Sequence, residues 1–366
     1  MRPKLRATGS LATVIRTPGF GCQGHAFMPP SPASRLRLGF AGRNGCSAPH
    51  LSVDGMTETG PNLSHWPGNR TPAPWRADLS TGIALRFARA TAGEQEGFLA
   101  GCEIVLNDHY DTDGFGSLLA VLRPEVAFAH EELLLAAAAT GDFGCWQTWR
   151  GFAVDRIVAR LAEPASPVAR TFAGSGDADR LSLHRYQWLL EHAVDVLRHP
   201  EAFAALFEAE MAGVQQEIAG GLGGEIDRRA WQDLDFAVVT SSGPRHRMTL
   251  NTLAGAHRVL HVAQMANGPR YRYHDRTESW FELVTFHPPV RRDLRPLAQH
   301  LAELEPAHDG ASWQADPPSE PIPELYFGVP SAQEYGRITR DLRPSRLPVE
   351  RVVAAFVGHF TRPAVS

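Results

Sequence analysis

The chain has 366 residues, 43% of them apolar and 21% charged, and a net charge of -4. That length and apolar share can bury a core spread over two or more domains, and the charge balance offers no basic stripe to nucleic acid. No stretch approaches the roughly 18 consecutive apolar residues of a membrane span. Lys4 is the sole lysine, so from residue 5 onward lysine Schiff bases, phosphate-loop lysines and lysine general bases are excluded. Cys22, Cys46, Cys102 and Cys145 include no Cys-x-x-Cys pair. Their spacing makes no zinc site, and the compartment expected is a reducing cytoplasm.

Residues 1–53 contain no Asp or Glu, carry Arg2, Lys4, Arg6, Arg16, Arg35, Arg37 and Arg43, and show no apolar periodicity. Such a composition does not fold by itself. Residues 1–55 are therefore expected to be a disordered leader: a transit peptide, a basic arm, or translated sequence ahead of a start at Met56. Met56 opens the acidic, normally composed part of the chain, which favours the last of these.

Residues 64–72, Ser-His-Trp-Pro-Gly-Asn-Arg-Thr-Pro, read as a loop dense in turn formers. Trp66 offers a stacking face and Arg70 a bidentate anion donor, so both are candidate substrate contacts, although turn chemistry alone also accounts for the loop. Residues 80–89 read as a capped helix. Residues 103–106 read as a short buried strand, His109-Tyr-Asp-Thr-Asp-Gly114 as an acidic turn, and residues 117–122 as a helix.

Glu131 begins a strong helix that stops at Thr140-Gly-Asp-Phe-Gly144. Helical spacing continues over residues 152–161, 183–197 and 202–218. From residue 233 the character changes: residues 233–240, 248–252, 258–263, 271–273 and 279–285 read as strands of an antiparallel region with short turns. A final helix is expected over residues 349–359. The fold class expected is mixed α/β: a strand, acidic turn and helix near the N-terminus, a helical middle, and an antiparallel β-rich C-terminal region. The division expected is a domain over residues 56–230 that carries the acidic turn, with residues 231–366 packed on it.

His109, Asp111 and Asp113 place three candidate ligands at every second position of the acidic turn. A calcium EF-hand loop fails there, because position one is an imidazole, position twelve is Ala120, and a strand precedes it. A haloacid-dehalogenase-type phosphatase would use Asp111 as nucleophile and Asp113 as acid, but residues 107–110 separate them from the strand and the family's usual downstream lysine is missing. Helix capping alone would need fewer acidic residues than this turn supplies. Among the histidines, His130, His184, His192, His257, His261 and His274 could complete a metal sphere, though a lone histidine is more often structural. Arg270, Arg272 and Arg276 interleave with Tyr271 and Tyr273. That pattern reads either as a nucleic-acid contact or as aromatic cross-strand packing with arginine outward.

The turn resembles the first motif of the DHH phosphoesterase superfamily, in which a strand ends in a His/Asp-x-Asp-x-Asp-Gly-x-x-Ser pattern and a helix follows. The resemblance covers His109 to Leu122. It implies His109, Asp111 and Asp113 as ligands of Mn2+ or Mg2+, with Asp142 matching a second-motif aspartate. Hard carboxylates with one imidazole suit those ions better than zinc. No Asp-His-His triplet occurs in the chain, so the bridging ligands of that superfamily have no counterpart in sequence. From Met56 onward the chain also resembles an uncharacterised bacterial family of high-GC organisms, in residues 64–72, 109–114 and 271–280. That resemblance implies no activity and groups the three segments in one domain.

The function expected is hydrolysis of a small phosphate ester or short nucleotide by metal-activated water. Asp111 and Asp113 would be the catalytic carboxylates, His109 and Asp142 further ligands, and Arg70 and Trp66 substrate contacts. The competing expectation is a non-catalytic metal- or ligand-binding or regulatory protein.

Overall fold

In this computed structural model, the described residues are 32–42, 45–330 and 340–362. Of the segment expected to be a leader, residues 1–31 lie outside them. Its remainder contributes to the fold: β1 (Arg37–Phe40) and β2 (His50–Val53) are strands, and Leu51 and Val53 are fully buried. A boundary at Met56 therefore falls after two strands. An acid-poor composition disfavours folding in isolation, but a four-residue strand is held by its neighbours and needs no charge of its own.

β3 (Asn62–Leu63), α1 (Ser80–Ala88), α2 (Ala92–Leu99) and β4 (Ile104–Asn107) follow. β1, β2, β3 and β4 form one parallel sheet in the order β1-β4-β2-β3. Parallel strands are covered on both faces, and β2 is accordingly buried at all four positions, His50 and Ser52 included, as are Val105 to Asn107 of β4. The carboxyl ends of β2, β3 and β4 lie side by side.

α3 (Thr112–Leu122) leaves the end of β4 and is buried over nearly its whole length. α4 (Pro124–Ala129), α5 (Glu131–Phe143), α6 (Trp149–Arg160), α7 (Ala178–Glu191), α8 (Ala193–Arg198) and α9 (Glu208–Leu222) make up the helical middle. One apolar core joins these helices to the parallel sheet, with Phe115, Leu118, Phe152, Ile157 and Tyr186 at its centre.

The second sheet contains β5 (Asp227–Trp231), β6 (Phe236–Ser241), β7 (Arg258–Met265) and β8 (Gly268–Asp275). α10 (Arg247–Ala254) joins β6 to β7, and α11 (Arg295–Leu304) follows β8. β9 (Ser312–Ala315), β10 (Glu324–Val329) and β11 (Asp341–Leu342) complete the sheet, and α12 (Val349–Thr361) closes the described chain. The strand order is β11-β10-β8-β7-β6-β5, with β9 also paired to β10. A second core packs Tyr271, Tyr273 and Phe327 of this sheet against α11 and α12. Two cores thus lie within one compact unit, Ser31–Ser366.

The architecture is mixed α/β, as expected, with two departures in the C-terminal half. β6 and β7 run parallel, whereas an antiparallel region was expected, because residues 248–252 belong to the crossover helix α10 and not to a strand. A short apolar run fits both periods, and the His246 side chain, which accepts the Met248 N–H, caps the helix. Residues 279–285 form no strand; Trp280 and Phe281 leave the sheet and pack against the N-terminal half. No helix among the described residues is long and apolar enough to cross a membrane.

One consequence for stability arises in β7. Burial, with Arg272 and Arg245 nearby, pushes the His261 imidazole down to about 4. Its folded value lies below its unfolded one, so its contribution is fully present above the ordinary histidine range near 6.5 and is lost as pH falls towards 4. His261→Gln should flatten the acid limb of a stability-versus-pH curve by on the order of 3 kcal/mol. Parallel limbs in denaturant titrations at pH 7 and pH 4.5 would contradict this.

Candidate metal centre

The ends of three parallel strands carry the site. Asp54 directly follows β2, with φ of 57°, a left-handed conformation that aspartate tolerates better than most residues. His65 lies two residues beyond β3 and His109 two beyond β4. In open α/β sheets such strand ends are where ligands collect.

Each histidine is oriented from behind. His65 Nδ1 is 2.6 Å from the Asp78 carbonyl, which fixes the proton on Nδ1 and leaves Nε2 as the lone-pair nitrogen. Its ring stacks on Phe281, with centroids 3.8 Å apart. His109 Nδ1 is 2.7 Å from Asp108 Oδ1, a carboxylate–histidine pairing that turns Nε2 towards Asp111 Oδ2 at 3.0 Å.

The carboxylates come from helix ends. Asp111 caps α3, accepting the Gly114 N–H at 2.8 Å. Asp113, fully buried, accepts the Ser80 and Thr81 N–H groups at the start of α1, both at 2.7 Å. These bonds satisfy orphan donors of the helix and hold the carboxylate in place. Asp142 lies in the last turn of α5.

Ligand atoms fall into two groups, each mutually within 4.8 Å: Asp54, His65, Asp113 and Asp142, and Asp54, His109 and Asp111. Asp54 belongs to both. His65 Nε2 is 3.3 Å from Asp142 Oδ2, 3.7 Å from Asp113 Oδ2 and 3.9 Å from Asp54 Oδ1. His109 Nε2 is 3.3 Å from Asp54 Oδ2. Asp54 Oδ2, His65 Nε2 and Asp142 Oδ2 are buried without a hydrogen-bond partner. Buried polar atoms are normally satisfied, so His65 Nε2 with Asp142 Oδ2 in one group, and Asp54 Oδ2 on the side of His109, fit cations held between them.

The electrostatics agree. Burial, reinforced by Asp111 and Asp113, pushes the Asp54 carboxyl well above its usual range, and burial with Asp113 and Asp111 does the same to Asp142. Burial also works against ionisation of Asp111, but His109 and the Gly114 N–H hold it down to about 2. A positive ion between these groups would relieve a repulsion that the chain otherwise carries.

The four residues expected from sequence as ligands, His109, Asp111, Asp113 and Asp142, come together here. Asp54 and His65 were not anticipated. The signal for Asp54 was an apolar strand ending in Val-Asp-Gly, obscured by its place in the supposed leader. Trp66 stands beside the site, its ring 4.9 Å from those of both His109 and Trp280. Arg70 is engaged elsewhere: its Nη2 donates to the carbonyls of Thr57 at 3.0 Å and Gly60 at 2.8 Å, and so clasps its own loop.

The C-terminal half closes this side of the site. Glu282 donates its N–H to the His65 carbonyl at 2.7 Å and accepts from Gly68 N and Asn69 Nδ2, both at 2.8 Å. Asp78 Oδ1 accepts from Val284 N at 2.6 Å and Thr285 N at 3.0 Å. Through Trp66, whose ring meets those of His109 and Trp280, the segments 64–72, 109–114 and 271–280 touch one another.

Fold and site define a mixed α/β protein with a buried acidic–histidine centre, able to hold a metal ion, at the ends of parallel strands. The chain belongs to DUF6687, a family of unknown function, which it matches over residues 38–365. No curated protein and no solved structure matches it. The family match takes in Asp54 and every other residue of the two groups.

Proposed function

We propose that this chain is a metal-dependent hydrolase of phosphate esters or phosphodiesters, with Mn2+ or Mg2+ at a two-ion centre. The observation that carries the reading is the pair of ligand groups sharing Asp54, since a carboxylate common to both positions would hold two ions close enough to act on one phosphoryl group. His65, Asp113 and Asp142 would hold one ion, and His109 and Asp111 the other. The donors are carboxylate and imidazole without thiolate, which suits hard divalent cations. A bound cation would supply a water of lowered pKa and a counter-charge for phosphoryl oxygens. The chain's own part is orientation and exclusion of water: Asp108 and the Asp78 carbonyl aim the imidazoles, and Trp66, Trp280 and Phe281 wall the histidines. The turn's resemblance to the DHH first motif supports the same class. Cys46, Cys102 and Cys145 are free thiols, in keeping with the cytoplasmic setting we assign.

The test is metal content by mass spectrometry on the full chain after growth with manganese, followed by hydrolysis of bis-p-nitrophenyl phosphate. Stoichiometric metal with turnover supports the reading. The burial of Asp54, His65 and Asp113 favours a second one, a metal-binding protein without turnover, which bound metal and no hydrolysis of any phosphoester would establish.

Asp108→Asn removes the carboxylate behind His109 and leaves every proposed ligand in place. Metal affinity is expected to fall about tenfold to a hundredfold, with the fold retained. Unchanged affinity in competition with a fluorescent chelator would remove Asp108 from this role.

A further inference from the structure

A second cluster of unsatisfied groups lies away from the acidic centre, and its charge is opposite. On β8, Arg270, Arg272 and His274 alternate with Tyr271 and Tyr273. The tyrosines enter the C-terminal core, so the cationic residues share the other face. Opposite them in register stand His261 and Ala263 of β7 and Glu324 and Tyr326 of β10. Arg245, just before α10, and Arg247, its first residue, border the same face: Arg245 acts on His261, and Arg247 on His274.

The carboxylates hydrogen-bonded in this group are already committed. Glu324 takes Arg272 Nη2 at 2.6 Å and Arg340 Nε at 2.9 Å, Asp316 takes Arg340 Nη2 at 2.6 Å, and Glu278 takes Arg276. Among the described residues, six arginines thus share three hydrogen-bonded carboxylates. The surplus falls on Arg245, Arg247 and Arg270, and Arg245 Nε, Arg247 Nε and Nη2, and Arg270 Nε are buried without a hydrogen-bond partner. Guanidinium N–H groups hidden from water cost stability unless an acceptor meets them, and arginine forks match tetrahedral oxyanions. The depressed His261 and His274 imidazoles, held down by burial and by these arginines, report the same positive field.

We propose that this face, centred on Arg247 with Arg270 and Arg245, binds a phosphate group, either inorganic phosphate or the dianion of a phosphomonoester. The site adjoins the chain that carries a proposed metal ligand: a Cβ at Gly144, two residues after Asp142, would lie 3.0 Å from Arg247 Cζ. Its use as the anchor for a substrate's non-reacting phosphate rests on the hydrolase reading; binding of the anion does not.

The experiment is isothermal titration of the full chain, metal-free in EDTA, with inorganic phosphate and separately with phenyl phosphate, against chloride at matched ionic strength. Saturable binding is expected for the wild type, and binding about tenfold to a hundredfold weaker for Arg247→Met. Preference between the two ligands separates a free-phosphate site from a phosphomonoester site. If Arg247→Met fails to fold, Arg270→Met carries the same expectation. No saturable binding by the wild type, or undiminished binding by the folded arginine variant, would overturn the assignment. Phosphate binding without phosphoester hydrolysis would remove the hydrolase reading alone.

Discussion

Asp142→Asn is expected to abolish tight metal binding and, with no metal present, to raise the melting temperature. Asp142 Oδ2 is buried, has no hydrogen-bond partner, and sits 3.3 Å from His65 Nε2. Asparagine keeps the shape and removes the charge. Without a cation the change relieves burial of one carboxylate near Asp113 and Asp111, a gain on the order of 1 kcal/mol. With metal at about one hundred times its dissociation constant, the wild type should gain roughly 2.7 kcal/mol, or about 4 °C in a chain of this size. The variant should gain almost nothing. Calorimetric melts in EDTA and in manganese decide the matter: a variant that is less stable than wild type in EDTA, or that responds fully to manganese, sinks the assignment of Asp142.

Gly114→Ala should unfold the acidic turn at a cost of about 3 kcal/mol or more. A Cβ there would stand 2.1 Å from Asn107 Nδ2, 2.4 Å from Tyr186 Oη and 3.0 Å from Asp111 Oδ1. These atoms are one network. Asn107 donates to Tyr186 Oη at 3.2 Å, Tyr186 Oη accepts from Asp111 N at 3.1 Å and donates to the His109 carbonyl at 3.1 Å, and Asn107 Oδ1 accepts from Asp108 N at 2.7 Å. Asn107 and Tyr186 are fully buried, so neither can turn to water when displaced. Alanine's better helix propensity, at most about 1 kcal/mol, does not offset this. Gly97 in α2 is the contrast, since a Cβ there meets nothing within 4 Å and the same change should stabilise by up to about 1 kcal/mol. Equal denaturation midpoints for the two variants would contradict both expectations.

What can be read from the sequence alone is what depends on near neighbours. The strand into Asn107, the acidic segment and the body of α3 follow from local period and turn chemistry, and with them His109, Asp111 and Asp113 as candidate ligands, although α3 starts at Thr112 and takes Asp113 and Gly114 into its first turn. The helical middle is legible for the same reason, as is the alternation that sends Tyr271 and Tyr273 to the core and Arg270 and Arg272 to the other face. Where a segment was too short to show its period, as in residues 248–252, helix and strand could not be told apart.

The tertiary structure alone decided which distant residues complete the site. His65 has no local mark of a ligand, and that of Asp54 is faint, a single aspartate at the end of a short strand in an acid-poor segment. They reach Asp113 and Asp142 because the order β1-β4-β2-β3 sets the carboxyl ends of β2, β3 and β4 side by side. That order also makes Arg37–Phe40 and His50–Val53 part of the sheet, although the composition around them argued against folding. Periodicity is a property of a few consecutive residues. Convergence is a property of strand order, which is set by burial of the whole core and which no single segment carries.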